Sequence, residues 1–78
     1  MKNNNDHYRI AVTELYNGKE NYAVAVQYFG PESRYGVVEY FNGRPSGSKQ
    51  FGFEITEAYK VMGAKVNWMV MNGYTFEK

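Results

Sequence analysis

The sequence predicts a small α+β domain, in which an antiparallel sheet of four strands, connected as a meander, is followed by one C-terminal helix on one face. Apolar side chains alternate with period two through the first two-thirds of the chain, and turn residues separate the alternating segments. The last third instead repeats its apolar residues at helical spacing. The chain has 78 residues, which is enough for one domain and too short for two.

The amino-acid composition argues against several classes of protein. Lys and Arg number 9 against 8 Asp and Glu, and these charges are scattered, which disfavours a strongly basic nucleic-acid binder. Because the chain has no cysteine, disulfides and thiolate zinc sites are excluded and a reducing compartment is expected. No apolar segment reaches the length of a membrane span. We therefore expect a cytoplasmic protein without a membrane partner.

The first two strands are predicted over residues 8–16 and 22–29. Residues 1–7 are polar and are predicted to form a flexible tail in front of the domain, which covers residues 8–78. A three-residue loop with Gly18 in a left-handed conformation connects the strands, pairs Leu15 with Lys19, and brings Ile10 opposite Val24. A two-residue Asn-Gly turn is rejected because it divides the apolar side chains between both faces of the sheet.

Two further strands complete the predicted sheet. A turn at residues 30–33, with Pro31 at its second position, leads into a third strand over residues 35–41. Residues 42–48 are predicted to be a loop that is too long for a tight hairpin. The fourth strand follows over residues 49–55.

The C-terminal third is predicted to be a helix over residues 57–72, with Thr56 as its N-cap and Gly73 as its stop signal. Its apolar stripe consists of Tyr59, Met62, Val66, Met69 and Val70. An alternative stays open, in which a short helix ends near Gly63 and residues 66–71 form a fifth strand. Glycine disfavours a helix interior by about 1 kcal/mol, which favours this alternative.

No catalytic residue, metal site or cofactor is predicted, and we expect a protein that is not an enzyme. The only histidine, His7, lies beside Asp6 in the predicted tail, where acid–base catalysis lacks a fixed geometry. One histidine, no cysteine and dispersed glutamates do not form a metal site. Glu14 and Glu39 share strand parity with apolar residues, and the sequence leaves open whether either carboxylate is buried.

The pattern contains more apolar side chains than one helix on one sheet face can bury. The strand residues predicted to face the core are Ile10, Val12, Val24, Val26, Phe51 and Phe53. The opposite face still carries Ala11, Ala23, Ala25, Val38 and Tyr40. We therefore expect a binding surface for another protein, and a second copy of the chain is one candidate. The predicted partner-binding residues are Trp68, Tyr40, Val38, Val61 and Met71.

Residues 36–42, Gly-Val-Val-Glu-Tyr-Phe-Asn, and residues 51–55, Phe-Gly-Phe-Glu-Ile, resemble the opening strands of cold-shock domains. In that family aromatic side chains stack on single-stranded bases. The matching aromatic positions are Tyr40, Phe41, Phe51 and Phe53. Positive charge near them comes from Arg34, Arg44 and Lys49. The resemblance implies single-stranded nucleic-acid binding as the alternative function, although Glu39 stands where the family has lysine.

In length and composition the chain is similar to compact phage-encoded inhibitors, such as anti-CRISPR and other anti-defence proteins. It is short, lacks cysteine and contains 8 tyrosines. This resemblance rests on no motif and transfers no functional residue. It implies a non-enzymatic inhibitor of a host protein complex that acts in the host cytoplasm.

Overall fold

The computed structural model describes residues 7–77. In chain order these residues form the strands β1 (His7–Tyr16), β2 (Asn21–Phe29), β3 (Tyr35–Phe41) and β4 (Arg44–Phe53) and the helix α1 (Ile55–Met71). The strands make one antiparallel sheet in the order β1-β2-β3-β4, and α1 packs on one of its faces. The predicted fold class is confirmed. Residues 1–6 of the predicted tail lie outside the described residues, whereas His7 already belongs to β1.

The core lies between α1 and the middle of the sheet. Alternate residues of a strand share one face, so β2 and its two neighbours each direct a row of side chains toward the helix. The largest fully buried side chains are Leu15, Tyr22, Val24, Val26 and Val37. From the helix, Ala58 is fully buried against this cluster. Its small side chain allows the first turns of α1 to approach the sheet closely.

The register of the first hairpin differs from the prediction. Tyr16 pairs with Asn21 across a loop of four residues, and Leu15 pairs with Tyr22. Thr13 rather than Ile10 lies opposite Val24, so the predicted pairings of Leu15 with Lys19 and of Ile10 with Val24 are both wrong. The side-chain oxygen of Asn17 accepts hydrogen bonds from the backbone N–H groups of Lys19 and Glu20, at 3.0 and 2.8 Å. These bonds replace backbone bonds of a tighter turn and stabilise the longer loop.

This register exchanges the faces on which β1 side chains lie. Val12 pairs with Ala25 on the side away from α1 and is 40% exposed. A β-bulge at Ile10 shifts the pairing by one residue, so that Ala11 lies opposite Val26 on the helix side. The predictions that Val12 faces the core and that Ala11 faces away from it are therefore wrong.

The connection between β3 and β4 is a tight turn. Asn42 and Gly43 have φ angles of 53° and 84°, as the two central residues of a type I′ hairpin turn require. Phe41 pairs with Arg44 directly across the turn. The predicted loop over residues 42–48 is wrong, because β4 begins at Arg44.

Irregular pairing in β4 decides the position of Phe51. The register shifts between the residues opposite Tyr35 and Val37, and Phe51 emerges on the side away from α1. There its ring contacts Phe29, with centroids 4.9 Å apart, and is 48% exposed. Phe53 faces the helix and packs against the core. The prediction of a core position is correct for Phe53 and wrong for Phe51.

The helix begins at Ile55, two residues earlier than predicted. Glu54 rather than Thr56 is the N-cap, and it forms a capping box with Glu57, whose carboxylate accepts the Glu54 backbone N–H at 2.9 Å. The helix then continues through the end of the predicted apolar stripe, so the alternative of a fifth strand over residues 66–71 is wrong. Gly73, with a φ of 96°, follows the helix as the predicted stop.

The segment after α1 returns to the first hairpin. Tyr74 is 8% exposed, and its hydroxyl donates a hydrogen bond of 2.6 Å to the Glu20 carboxylate. Thr75 forms an isolated β-bridge with Tyr16, with N–H to oxygen bonds of 2.7 and 2.8 Å. These contacts attach the C-terminal segment to the first hairpin, beside the end of β1.

Gly18 and Gly63 allow a matched test of this backbone. Neither has a heavy atom within 4 Å of the place where a Cβ would lie, but Gly18 has a φ of 91°. Gly18→Ala should therefore lower the free energy of unfolding by about 1 kcal/mol, because a Cβ disfavours the left-handed region. Gly63→Ala, in the helix, should raise it by about 0.5–1 kcal/mol. Urea denaturation measures both, and an unchanged stability of Gly18→Ala would contradict the loop conformation.

Candidate interaction surfaces

One side of α1 presents a continuous apolar stripe. Val61, Ala64, Trp68 and Met71 follow one another at spacings of three or four residues, which places them along one side of a helix. Trp68 is 64% exposed and Met71 is 79% exposed. Among the described residues these are the most exposed large apolar side chains. We call the four residues the helix flank.

A cleft of about 450 Å³ lies beside the helix flank. It exists because α1 packs mainly over β2 and β3 and leaves most of β4 uncovered. The residues that line it are Glu39, Gln50, Val61, Ala64, Lys65 and Trp68. The cleft therefore has an apolar wall on the helix and polar groups on the sheet.

Glu39 lies at the base of this cleft, between the sheet and the helix. Its Oε2 accepts a hydrogen bond of 2.7 Å from the Tyr22 hydroxyl, and its Oε1 is 3.4 Å from the Lys65 ammonium nitrogen. Burial of Tyr22, together with its hydrogen bond to the nearby carboxylate, raises the pKa of the Tyr22 hydroxyl above its ordinary value. Glu39 thus has two partners, and together the three side chains join α1 to β2 and β3.

The sheet face opposite α1, which we call the open face, has an apolar floor and a polar centre. Ala25 and Val38 are buried in the floor by their neighbours. Above them the Tyr40 hydroxyl accepts hydrogen bonds from the Arg9 guanidinium at 3.2 Å and from the Gln27 amide at 3.0 Å. The Arg9 guanidinium carbon also lies 5.3 Å from the centroid of the Tyr40 ring, within the range of a cation–π interaction.

A shallow cavity of about 290 Å³ extends over the β1 and β2 side of the open face. On its rim the exposed Glu14 carboxylate accepts a hydrogen bond of 2.7 Å from the Tyr16 hydroxyl. This bond raises the pKa of Tyr16, because ionisation would place two negative charges side by side. Within residues 7–77, no three His, Asp or Glu side chains come together in a group that could hold a metal ion.

The predicted partner-binding residues lie on two different surfaces. Val61, Trp68 and Met71 belong to the helix flank. Val38 and Tyr40 belong to the open face, on the other side of the sheet. Val38 is only 3% exposed, so it supports the open face from below and offers little contact area of its own.

The residues predicted for nucleic-acid binding are also divided. Those on the open face are Tyr40, Lys49 and Phe51. Phe41 and Phe53 instead face α1 and pack against the core. Arg34, in the loop between β2 and β3, forms an ion pair with Glu54, and Arg44 is exposed at the start of β4.

Sequence reasoning missed Arg9 and Gln27 as neighbours of Tyr40. Arg9 comes opposite Gln27 only because of the β-bulge at Ile10. No glycine or proline marks this bulge in the sequence, so the pattern contains no signal for it.

Comparisons with known proteins identify no relative. No protein-family model matches the chain, and neither curated proteins nor solved structures include a significant match. The resemblances to cold-shock domains and to phage-encoded inhibitors therefore stay predictions. Among the described residues, no helix is long and apolar enough to span a bilayer.

Tyr22→Phe tests the hydrogen bond at the base of the cleft. We expect the free energy of unfolding to fall by about 1.5–3 kcal/mol near neutral pH, because a partly buried carboxylate loses a donor. Tyr8→Phe, at a ring that is 53% exposed, is the matched control and should leave stability nearly unchanged. Denaturant titration of the three proteins measures this comparison.

The same variant tests the raised pKa of Tyr22. A raised folded-state pKa means that the contribution is complete below the ordinary value of 10.0 and is lost as pH rises above it. The stability difference between wild type and Tyr22→Phe should therefore be constant up to about pH 9 and shrink above about pH 10. A difference that stays constant through this range would contradict the assignment.

Proposed function

We propose that this protein is a small non-enzymatic binding module that recognises another protein through the helix flank, in the manner of a phage-type inhibitor of a host protein complex. One observation carries the proposal. Trp68 and Met71 lie side by side on the helix flank and are 64% and 79% exposed. Tryptophan and methionine are both enriched at the centres of protein interfaces.

The fold itself does not require Trp68. The helix residues that pack against the core are Ala58, Val61, Met62, Val66 and Met69. A tryptophan side chain buries about 150–250 Å² when it is covered completely. At about 25 cal/mol per Å², covering the exposed part of Trp68 is worth roughly 3 kcal/mol. A partner that covers the ring therefore gains stabilisation that the isolated chain leaves unused.

The cleft beside the helix flank supports the same proposal. It offers space for an apolar side chain of the partner next to Trp68 and Val61. Gln50 and Lys65 at its border provide hydrogen-bond donors for the polar rim that surrounds most interface centres. The arrangement matches the usual pattern of an aromatic anchor with polar groups around it.

Trp68→Ala should weaken binding of the partner about thirty-fold, or ~2 kcal/mol, because interface tryptophans contribute this much when truncated. Immobilised wild type and variant would be used to capture partners from extracts of candidate bacterial hosts. The affinity of each identified partner would then be measured by calorimetry.

Phe51→Ala is the matched control, since it removes a ring that is 48% exposed on the other side of the sheet. It should leave the affinity for the partner unchanged. Equal loss in both variants, or no loss in Trp68→Ala, would contradict the proposed surface.

Binding of single-stranded nucleic acid is the second candidate function, and the open face favours it. Tyr40 and Phe51 share this face with the cations of Arg9 and Lys49. Rings next to positive charges allow bases to stack while the backbone phosphates are neutralised. The formal charge of +1 makes this candidate weaker than protein binding, because phosphate contacts supply most of such affinity.

Titration of fluorescent single-stranded DNA and RNA at low salt tests the second candidate. Phe51→Ala should weaken binding by about 1–3 kcal/mol, and affinity should fall as salt rises because counterions are released. Trp68→Ala is the control here and should have no effect. Absence of binding at about 100 μM protein would eliminate this function.

A further inference from the structure

Within residues 7–77, the outer edge of β1 is unpaired along most of its length. At its end, the backbone N–H and C=O of Tyr16 bond to Thr75 on the side away from β2. This bridge involves one residue of β1. Between His7 and Leu15, no other described segment pairs with that side of the strand. A free row of N–H and C=O groups is a template for another strand.

Arg9, Val12 and Glu14 direct their backbone groups toward this edge. Their partners in β2 are the alternate residues Gln27, Ala25 and Ala23. The next alternate residue of β2 pairs with Tyr16. Because backbone orientation alternates along an antiparallel pair, all of these β1 residues point outward as Tyr16 does. The bulge at Ile10 inserts one extra residue between Arg9 and Val12, so the backbone groups of Arg9 also point outward.

The other edge of the sheet is protected against such pairing. β4 contains Pro45, which has no backbone N–H to donate. Its pairing with β3 is irregular at two places, and Gly47 and Gly52 have φ angles of 93° and 85°. Prolines and bulges are common devices by which proteins blunt an edge strand. The edge of β1 has no proline and only one bulge.

We propose that a second copy of this chain pairs along the β1 edge, strand against strand in antiparallel orientation, so that the two sheets become one. The edge is self-complementary. A two-fold axis at Val12 places Val12 opposite the partner's Val12. The pairing with β2 shows that Arg9 and Glu14 are the outward-facing residues next to Val12, one on each side of it. Arg9 of each copy therefore lies opposite Glu14 of the other copy, which gives two such contacts in the dimer.

The charges of these two residues have no ionic partner in the described part of the chain. Arg9 donates to the Tyr40 hydroxyl, and Glu14 accepts from the Tyr16 hydroxyl. Neither takes part in an ion pair among residues 7–77. Pairing of two copies supplies each of them with an opposite charge, whereas an unrelated strand supplies none by symmetry.

Exposed apolar side chains border the same edge on both sides of the sheet. Val12 is 40% exposed on the open face, and Tyr8 is 53% exposed on the helix side. On α1, Met62 contacts the Thr13 hydroxyl of β1 at 4.0 Å. Tyr59, one turn earlier on that side of the helix, is 40% exposed. A second copy along β1 therefore also covers apolar surface next to the backbone bonds.

Reversal of single charges tests the pairing. Light scattering should give the wild type a mass of twice 9.0 kDa. Arg9→Glu and Glu14→Arg each place like charges opposite each other twice, and each should weaken dimerisation about tenfold or more. A mixture of the two variants should restore the dimer, because every Glu then faces an Arg. Circular dichroism confirms that each variant is folded.

Three outcomes would overturn the proposal. They are a monomeric wild type at about 1 mM, single variants that dimerise as well as the wild type, and a mixture of folded variants that stays monomeric. Val12→Pro is a second test, since it removes an outward N–H that β2 does not use and should abolish the dimer. Trp68→Ala should leave the dimer intact. Loss of the dimer in this variant would show that the two copies contact each other through the helix flank instead.

Discussion

Packing of α1 against β2 is the interaction on which the rest of this structure depends. β2 lies between β1 and β3, and Tyr22, Val24 and Val26 on its helix side are fully buried. Removing this row from water requires one helix that approaches closely, which the small Ala58 allows. The ion pair between Glu39 and Lys65 then joins β3 to α1, and the Tyr22 hydroxyl of β2 donates a hydrogen bond to the same carboxylate.

A single helix in this position leaves other parts of the sheet and of the helix without cover. α1 lies over the strands in the middle of the sheet, so the cleft beside β4 stays open. The helix turns one side toward the core and another, with Trp68, toward solvent. The sheet likewise has one covered face and one open face. The surfaces proposed for binding are therefore consequences of how the core is built.

The strand segments, the C-terminal helix and the fold class were predictable, because each depends on local periodicity and on turn residues. Residue parity alone also placed Glu39 on the same side as Val37 and Phe41. The register of β1 was not predictable. Its apolar residues occupy both parities, as Val12 and Leu15 illustrate, so more than one pairing buries a comparable row.

Side-chain hydrogen bonds and β-bulges account for the other features of the structure that the sequence did not predict. Two of the three Asn-Gly pairs of the chain connect strands by different turns, since Asn17 closes a loop of four residues and Asn42 begins a type I′ turn. The bulge at Ile10 then moves Arg9 beside Tyr40. These choices depend on contacts between strands that a single sequence does not display. For the candidate surfaces, the exposed position of Trp68 was predictable, whereas the polar centre of the open face was not.

We propose that the fold leaves the Trp68 side chain exposed and that a protein partner covers it. The chain contains one tryptophan, so quenching of its fluorescence by acrylamide measures this side chain alone. We predict that quenching of the free protein approaches that of tryptophan in solution, and that it falls sharply when the captured partner is bound. A ring that is already protected in the free protein, or one that is equally quenched in the complex, would contradict the claim.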